Sequence, residues 1–217
     1  MLAVLPVIAA VASVGALGCS SDDSGETRPT TSSTGPGETT TTAPPVIDAT
    51  LRLGKTSVVG IGVPARTPPE IKRAVSRAVV ATLDAYVDAA FLAPLRGEKI
   101  VLDDLVGPRA AARLARRQHD RGVMTNDGLP EVRGATVRLA PTNLTALSEG
   151  FAGLSLVSGT LDLETDLTTI DGDLSVHHFG EIVLARDGEE WRVIGYEMIV
   201  VRDDGTAVTT TTATAAP

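Results

Sequence analysis

Two Asp-Gly pairs, each set between runs of alternating apolar and polar residues, constrain this chain more than any other feature. Ile170-Asp171-Gly172-Asp173 and Arg186-Asp187-Gly188-Glu189 both read as two-residue hairpin turns. Taking Asp-Gly as the central pair of each turn fixes a register. Leu184 then faces Trp191, Ile182 faces Val193, and His178 faces Glu197. On the other side Val176 faces Leu167, Gly180 faces Leu163, and Ile182 faces Leu161. Both turns yield the same apolar face, carrying Leu161, Leu163, Leu167, Leu174, Val176, Ile182, Leu184, Trp191, Val193, Ile199 and Val201. The opposite face carries Asp162, Glu164, Asp166, Ser175, His177, Glu181 and Arg192, and sets His177 beside Asp166. The alternation slips near Ser158-Gly159, which predicts a bulge that curves the sheet. Val132 to Ala140 supplies a further strand. The last strand is also apolar at Ile194, Tyr196, Met198 and Val200, predicting either a partner surface or a contact with the N-terminal segment.

Ahead of this β-meander the pattern turns helical. Thr67-Pro68-Pro69-Glu70 reads as a capped helix start. Ile71, Val75, Ala78, Val79, Thr82, Tyr86, Ala90 and Phe91 follow at helical spacing, and the helix is expected to stop near Ala93, before Pro94. A second helix is expected from Pro108 to about His119.

The two ends differ in composition from this middle. Leu2 to Leu17 is apolar or small throughout, the length of a signal-peptide core rather than of a membrane span. It ends in Ala16-Leu17-Gly18-Cys19, and Cys19 is the chain's single cysteine. These residues resemble a lipobox, whose cysteine is acylated and becomes the first residue of the mature chain; the usual Leu is Ala16 here. The expected organisation is a signal peptide over 1–18, then lipidated Cys19 with a disordered Ser/Thr/Pro/Gly linker over 19–45. One α+β domain follows over 46–205, then a disordered Thr/Ala-rich tail over 206–217. As a flexible coil the linker would reach about 25–30 Å. Asn143-Leu144-Thr145 matches a glycosylation sequon, read here as chance.

The domain also carries a family resemblance. A long helix, a shorter helix and a curved antiparallel meander are similar to the NTF2-like (SnoaL-like) cone of the cystatin-like superfold. Glu190-Trp191-Arg192-Val193-Ile194-Gly195-Tyr196 resembles the last strand of such domains. Asp104 to Leu114 and Asp127-Gly128-Leu129-Pro130-Glu131 resemble segments of uncharacterised actinobacterial lipoproteins of this kind. The resemblance covers about residues 66 to 203. It implies a fold shared by enzymes, transport factors and non-catalytic envelope domains, so it implies no single activity.

Composition narrows the function classes. A formal net charge of −8 argues against a general nucleic-acid binder. With 3% aromatics, the core must be built from Val, Leu, Ile and Ala. Neither a metal site nor a cofactor is expected. The candidate catalytic set is His178 with Glu197 opposite on one neighbour and Thr165 on the other, a pairing in which a carboxylate would orient a general base. Arg109, Arg113, Arg116 and Arg117 recur at helical spacing as a basic stripe. They are read either as a contact to an anionic surface or as a solvated face paired with Asp103, Asp104 or Asp120.

The expected function is that of a lipid-anchored protein on the extracytoplasmic face of the cell membrane, with a non-catalytic binding or accessory role. Its partners would be the membrane, through Cys19, and an apolar small molecule or another envelope protein. The alternative is a SnoaL-like lyase, isomerase or hydrolase using His178 and Glu197 in the cone. Whether His178 can be reached from solvent separates the two.

Overall fold

The order of elements is β1 (Leu53–Gly60), α1 (Pro69–Val87), α2 (Pro108–Arg116), α3 (Gln118–Met124), β2 (Val132–Leu139), β3 (Thr142–Ser148), β4 (Leu154–Thr169), β5 (Asp173–Asp187), β6 (Glu190–Asp203) and β7 (Val208–Ala215). This computed structural model describes Ile47 and residues 49–60, 68–148 and 154–217. The signal peptide, Cys19, the linker and the Thr67 cap lie outside the described residues. The chain is thus α+β, as the patterning predicts. Among the described residues seven strands form one open sheet in the order β1-β3-β4-β5-β6-β7, with β2 also paired to β4. β4 is long enough for two partners: its first half pairs with β3 and its second with β2. β1 runs parallel to β3, and the other strand pairs are antiparallel.

Each hairpin turn is displaced by one residue from expectation, the first toward the N-terminus and the second toward the C-terminus. Thr168 pairs with Asp173 and Thr169 N–H donates to the Gly172 carbonyl at 2.9 Å, so Ile170-Asp171 is the central pair. In the second turn Asp187 pairs with Glu190, and Gly188-Glu189 is central, with Gly188 at φ 64°. Each register therefore slips by two from the expected one: Leu163 faces His178, and Arg186 faces Trp191. A slip of two leaves every side chain on its predicted face, because the strand period is two. Leu161, Leu163, Leu167, Val176, Ile182 and Leu184 are all buried.

The predicted bulge is displaced. Ser158-Gly159 pairs regularly, and Gly159 serves helix packing instead: a Cβ there would lie 2.9 Å from Leu83 of α1. The consequential bulge is in β6. Val183 pairs with Gly195 and Leu184 with Val193, so Ile194 is the extra residue. The Val193 backbone turns to the segment before α2, its N–H donating to Leu105 and its carbonyl accepting from Gly107, both at 2.8 Å. Beyond the bulge the parity inverts. Tyr196, Met198 and Val200 are buried, while Ile199 and Val201, expected inside, are half-buried on the other side. The second apolar face of this strand thus has a physical cause: it is the core face after the bulge.

The helices cover the buried face. α1 packs Val79, Leu83, Tyr86 and Val87 inward. Its regular part ends at Val87; a π-type turn spans Asp88–Leu92, and a short 3-10 turn at Pro94–Arg96 follows. Ala93 N–H bonds back to Asp88 rather than to residue 89. Asn126 then takes the orphaned carbonyls, donating from its backbone to Ala90 at 2.9 Å and from its side chain to Phe91 at 2.8 Å. The single helix expected over 108–119 is two. Arg117, at φ −116° and ψ 96°, breaks it, and α3 continues over β6 and β7.

The tail is ordered, contrary to expectation. β7 pairs with β6 from Asp203↔Val208 to Tyr196↔Ala215. Thr is a strand former, and Ala213 and Ala215 are small enough to bury beside Met198 and Tyr196. The turn is set by Asp204, whose carboxylate accepts from Thr206 N–H at 2.8 Å and Ala207 N–H at 2.9 Å. Truncation after Asp204 is therefore expected to lower the melting temperature, and amides of 208–215 should resist hydrogen exchange. Rapid exchange there, with unchanged melting on truncation, would restore the disordered tail.

Candidate functional site

The two proposed catalytic partners are on opposite faces of the sheet. His178 is buried on the core face with 0% exposure, its cross-strand neighbours being Leu163 and Val200. Glu197 lies past the Ile194 bulge, exposed on the outer face and opposite Glu181. The expected His178–Glu197 contact is therefore not made. The cause is arithmetic: a slip of two at the turn plus one at the bulge moves Glu197 three places along and inverts its face. Thr165 faces Val176 rather than His178, but it remains buried on the same face, one step diagonal from the imidazole.

The surroundings of His178 decide what it can do. The Phe91 ring lies 4.8 Å from it, tilted by 58°, and Tyr86 packs edge-on to Phe91 at 6.0 Å. Both ring nitrogens of His178 and the Thr165 hydroxyl are buried without a hydrogen-bond partner among the described residues. Burial holds the His178 pKa down to about 3, and the nearby Arg202 and His177 charges push the same way. Arg202 donates to the Gly122 carbonyl at 3.0 Å at the rim of this face. A general base at neutral pH needs a pKa near neutrality and reach to a substrate proton; this imidazole has neither.

The basic stripe is divided between two uses. Arg113 Nε donates to Asp120, a carboxylate only 3% exposed at the start of α3. The Tyr196 hydroxyl donates to the same Asp120 oxygen at 3.0 Å, and the Arg113 guanidinium lies 5.9 Å over the Tyr196 ring. Burial raises the Asp120 carboxyl, but the Arg113 and Tyr196 bonds outweigh it and its pKa lies below the ordinary value. Burial and the Asp120 bond push the Tyr196 phenol up. This cluster clamps α2 and α3 to β6, which is the pairing with Asp120 that the sequence offered as one reading of the stripe. Arg109, Arg116 and Arg117 are exposed. The sequence reading named Asp120 but missed Tyr196, because without the bulge Tyr196 points outward.

The outer face is a set of solvated pairs. His177 bonds Asp162 at 2.8 Å, not the expected Asp166; Asp166 instead takes Arg138 at 2.7 Å and Ser175 at 3.0 Å. Among the described residues no three His, Cys, Asp or Glu side chains converge as a metal-ligand set. In the sequon, the Asn143 side chain is already engaged, accepting from Lys55 N–H at 2.8 Å.

Two expectations follow. Folding lowers the His178 pKa from 6.5 to about 3, so in that window the unfolded chain binds a proton that the folded chain does not. The stabilising contribution is complete above pH 6.5 and is lost as pH falls toward about 3. Chemical denaturation across this range should show a steeper loss of stability in the wild type than in His178→Leu; equal slopes would mean an accessible imidazole. At the clamp, Asp120→Ala is expected to cost about 2–4 kcal/mol and Tyr196→Phe about 1–2 kcal/mol. Arg109→Ala should stay within about 0.5 kcal/mol. Equal small losses at all three positions in urea melts would dissolve the clamp. Compared with known protein families, with curated proteins and with solved structures, the chain matches none.

Proposed function

We propose that the protein is a lipid-anchored accessory domain of the cell envelope, with an NTF2-like fold serving binding rather than catalysis. The observation that carries the reading is the sealed interior. The face on which an acid–base pair was expected is filled by the protein's own Phe91, Tyr86 and Met198, and its one imidazole is buried and neutral. The helix-on-sheet arrangement and the long β4–β6 meander are consistent with the family resemblance of residues 66 to 203. The extracytoplasmic location rests on the apolar run ending at Cys19 and the Ser/Thr/Pro/Gly stretch behind it. Two or three acyl chains at about 0.8 kcal/mol per buried CH₂ would hold such a chain on the membrane.

The anchor is tested on the native protein. Mass spectrometry of the membrane fraction should find a mature chain starting at acylated Cys19, and Cys19→Ser should leave the protein unprocessed or released. An unmodified Cys19 with residues 1–18 retained would end the lipoprotein reading.

A further inference from the structure

We propose that the groove between β1 and the first half of α1 binds a single-chain amphipathic anion of the fatty-carboxylate class. The groove is open on one side and has a volume of about 490 Å³, within the usual range of small-molecule sites. Its construction follows from two registers. Leu53 and Thr56 pair with Thr142 and Leu144 of β3, which are buried, so β1 turns these two residues toward the helix. On α1, Lys72, Arg73, Ser76, Arg77 and Val80 fall at spacings that share one helix face, and this face lines the groove. The floor is apolar, with Val80 half-buried and Leu53 44% exposed. The rim is cationic, and no carboxylate contributes to the lining.

That rim stands out in a chain of net charge −8. Elsewhere among the described residues Arg96, Arg113, Arg121, Arg138 and Arg192 are ion-paired, while cations such as Arg109, Arg116 and Arg117 are not, so what sets the groove apart is that three cations converge on one apolar lining. Among the described residues, no carboxylate forms an ion pair with Lys72, Arg73 or Arg77. Arg73 spends only its Nε, on the Pro69 carbonyl at 3.3 Å, which leaves the outer fork of the guanidinium for a ligand. Three cations around an exposed leucine select an anion with an apolar tail. A dianionic sugar phosphate would leave the leucine wet, and a neutral lipid would leave the cations unpaired. The anion-binding role that the sequence offered to the α2 stripe fits this groove better, since Arg113 is committed to Asp120. The inference does not depend on the Cys19 anchor.

The test is a dodecanoate titration of the isotopically labelled full chain, read by NMR at neutral pH. Saturable shifts are expected at Leu53, Thr56, Ser76 and Val80, with dodecanol binding there about ten-fold more weakly. The exposed double variant R73Q/R77Q should weaken dodecanoate about ten-fold and leave dodecanol unchanged. Dodecanoate shifts that avoid these residues, or an R73Q/R77Q affinity equal to wild type, would overturn the proposal. So would phosphatidylglycerol vesicles perturbing the same signals while dodecanoate does not, which would make the groove a bilayer-docking face.

Discussion

The close approach of α1 to β4 at Gly159 is the contact on which the rest of the interior depends. A side chain at that position would meet the tips of Leu83 at 2.9 Å and Leu144 at 3.2 Å, so both leucines settle where it would otherwise make them shift. Once seated, α1 brings Tyr86 and Phe91 over the middle of the sheet. The Tyr86 hydroxyl then reaches the Met124 carbonyl at 2.9 Å, and Asn126 closes the end of the helical stretch. Phe91 lies on His178 as a consequence. The seal over the imidazole is thus shaped from Gly159 on the neighbouring strand, four residues from Leu163, the cross-strand partner of His178.

The second determinant is a single residue, Ile194. By standing out of the β5–β6 ladder it frees the Val193 backbone to hold the segment before α2. It also turns Tyr196 inward, where its hydroxyl meets Asp120. The same inversion puts Glu197 outside. One inserted residue therefore supplies the clamp that fixes α2 and α3 and removes the carboxylate that would have made His178 a base. Buried ion pairs contribute less than their geometry suggests, because desolvation opposes them. Asp120 succeeds here because two donors share its charge and Arg113 keeps part of its guanidinium in water.

These details explain which parts of the structure were legible in the sequence. The faces of β4 and β5 were legible because hydrophobic alternation survives a register slip of two. Leu163 stays inside whether it faces Gly180 or His178. The Ile194 bulge was not legible, since both parities of β6 are apolar: Ile199 and Val201 compete with Met198 and Val200 on equal terms. β7 was missed for a compositional reason. A run of threonines reads as spacer, yet Asp204-Gly205 before it is a further Asp-Gly turn, and Thr and Ala alternate over residues 212–215. The break at Arg117 carries no Pro or Gly; its visible correlate is tertiary, the Asp120 carboxylate three residues on being held by Arg113 and Tyr196.

Polar groups are treated differently inside the fold and on its surface. Inside, His178 and Thr165 are held away from water, and burial lowers the imidazole pKa to about 3, so it is neutral near neutral pH. An uncharged, unreachable imidazole can fill space and fix packing; it cannot cycle a proton. Outside, Arg138 pairs with Glu164 and Asp166 and His177 with Asp162, while Glu181 and Glu197 face each other across the strands. At the edge, the groove between β1 and the first turns of α1 is lined by three cations and no carboxylate. The interior and the groove are thus built by different contacts of the same helix: Val79, Leu83 and Tyr86 turn to the sheet, while Lys72, Arg73 and Arg77 turn to β1.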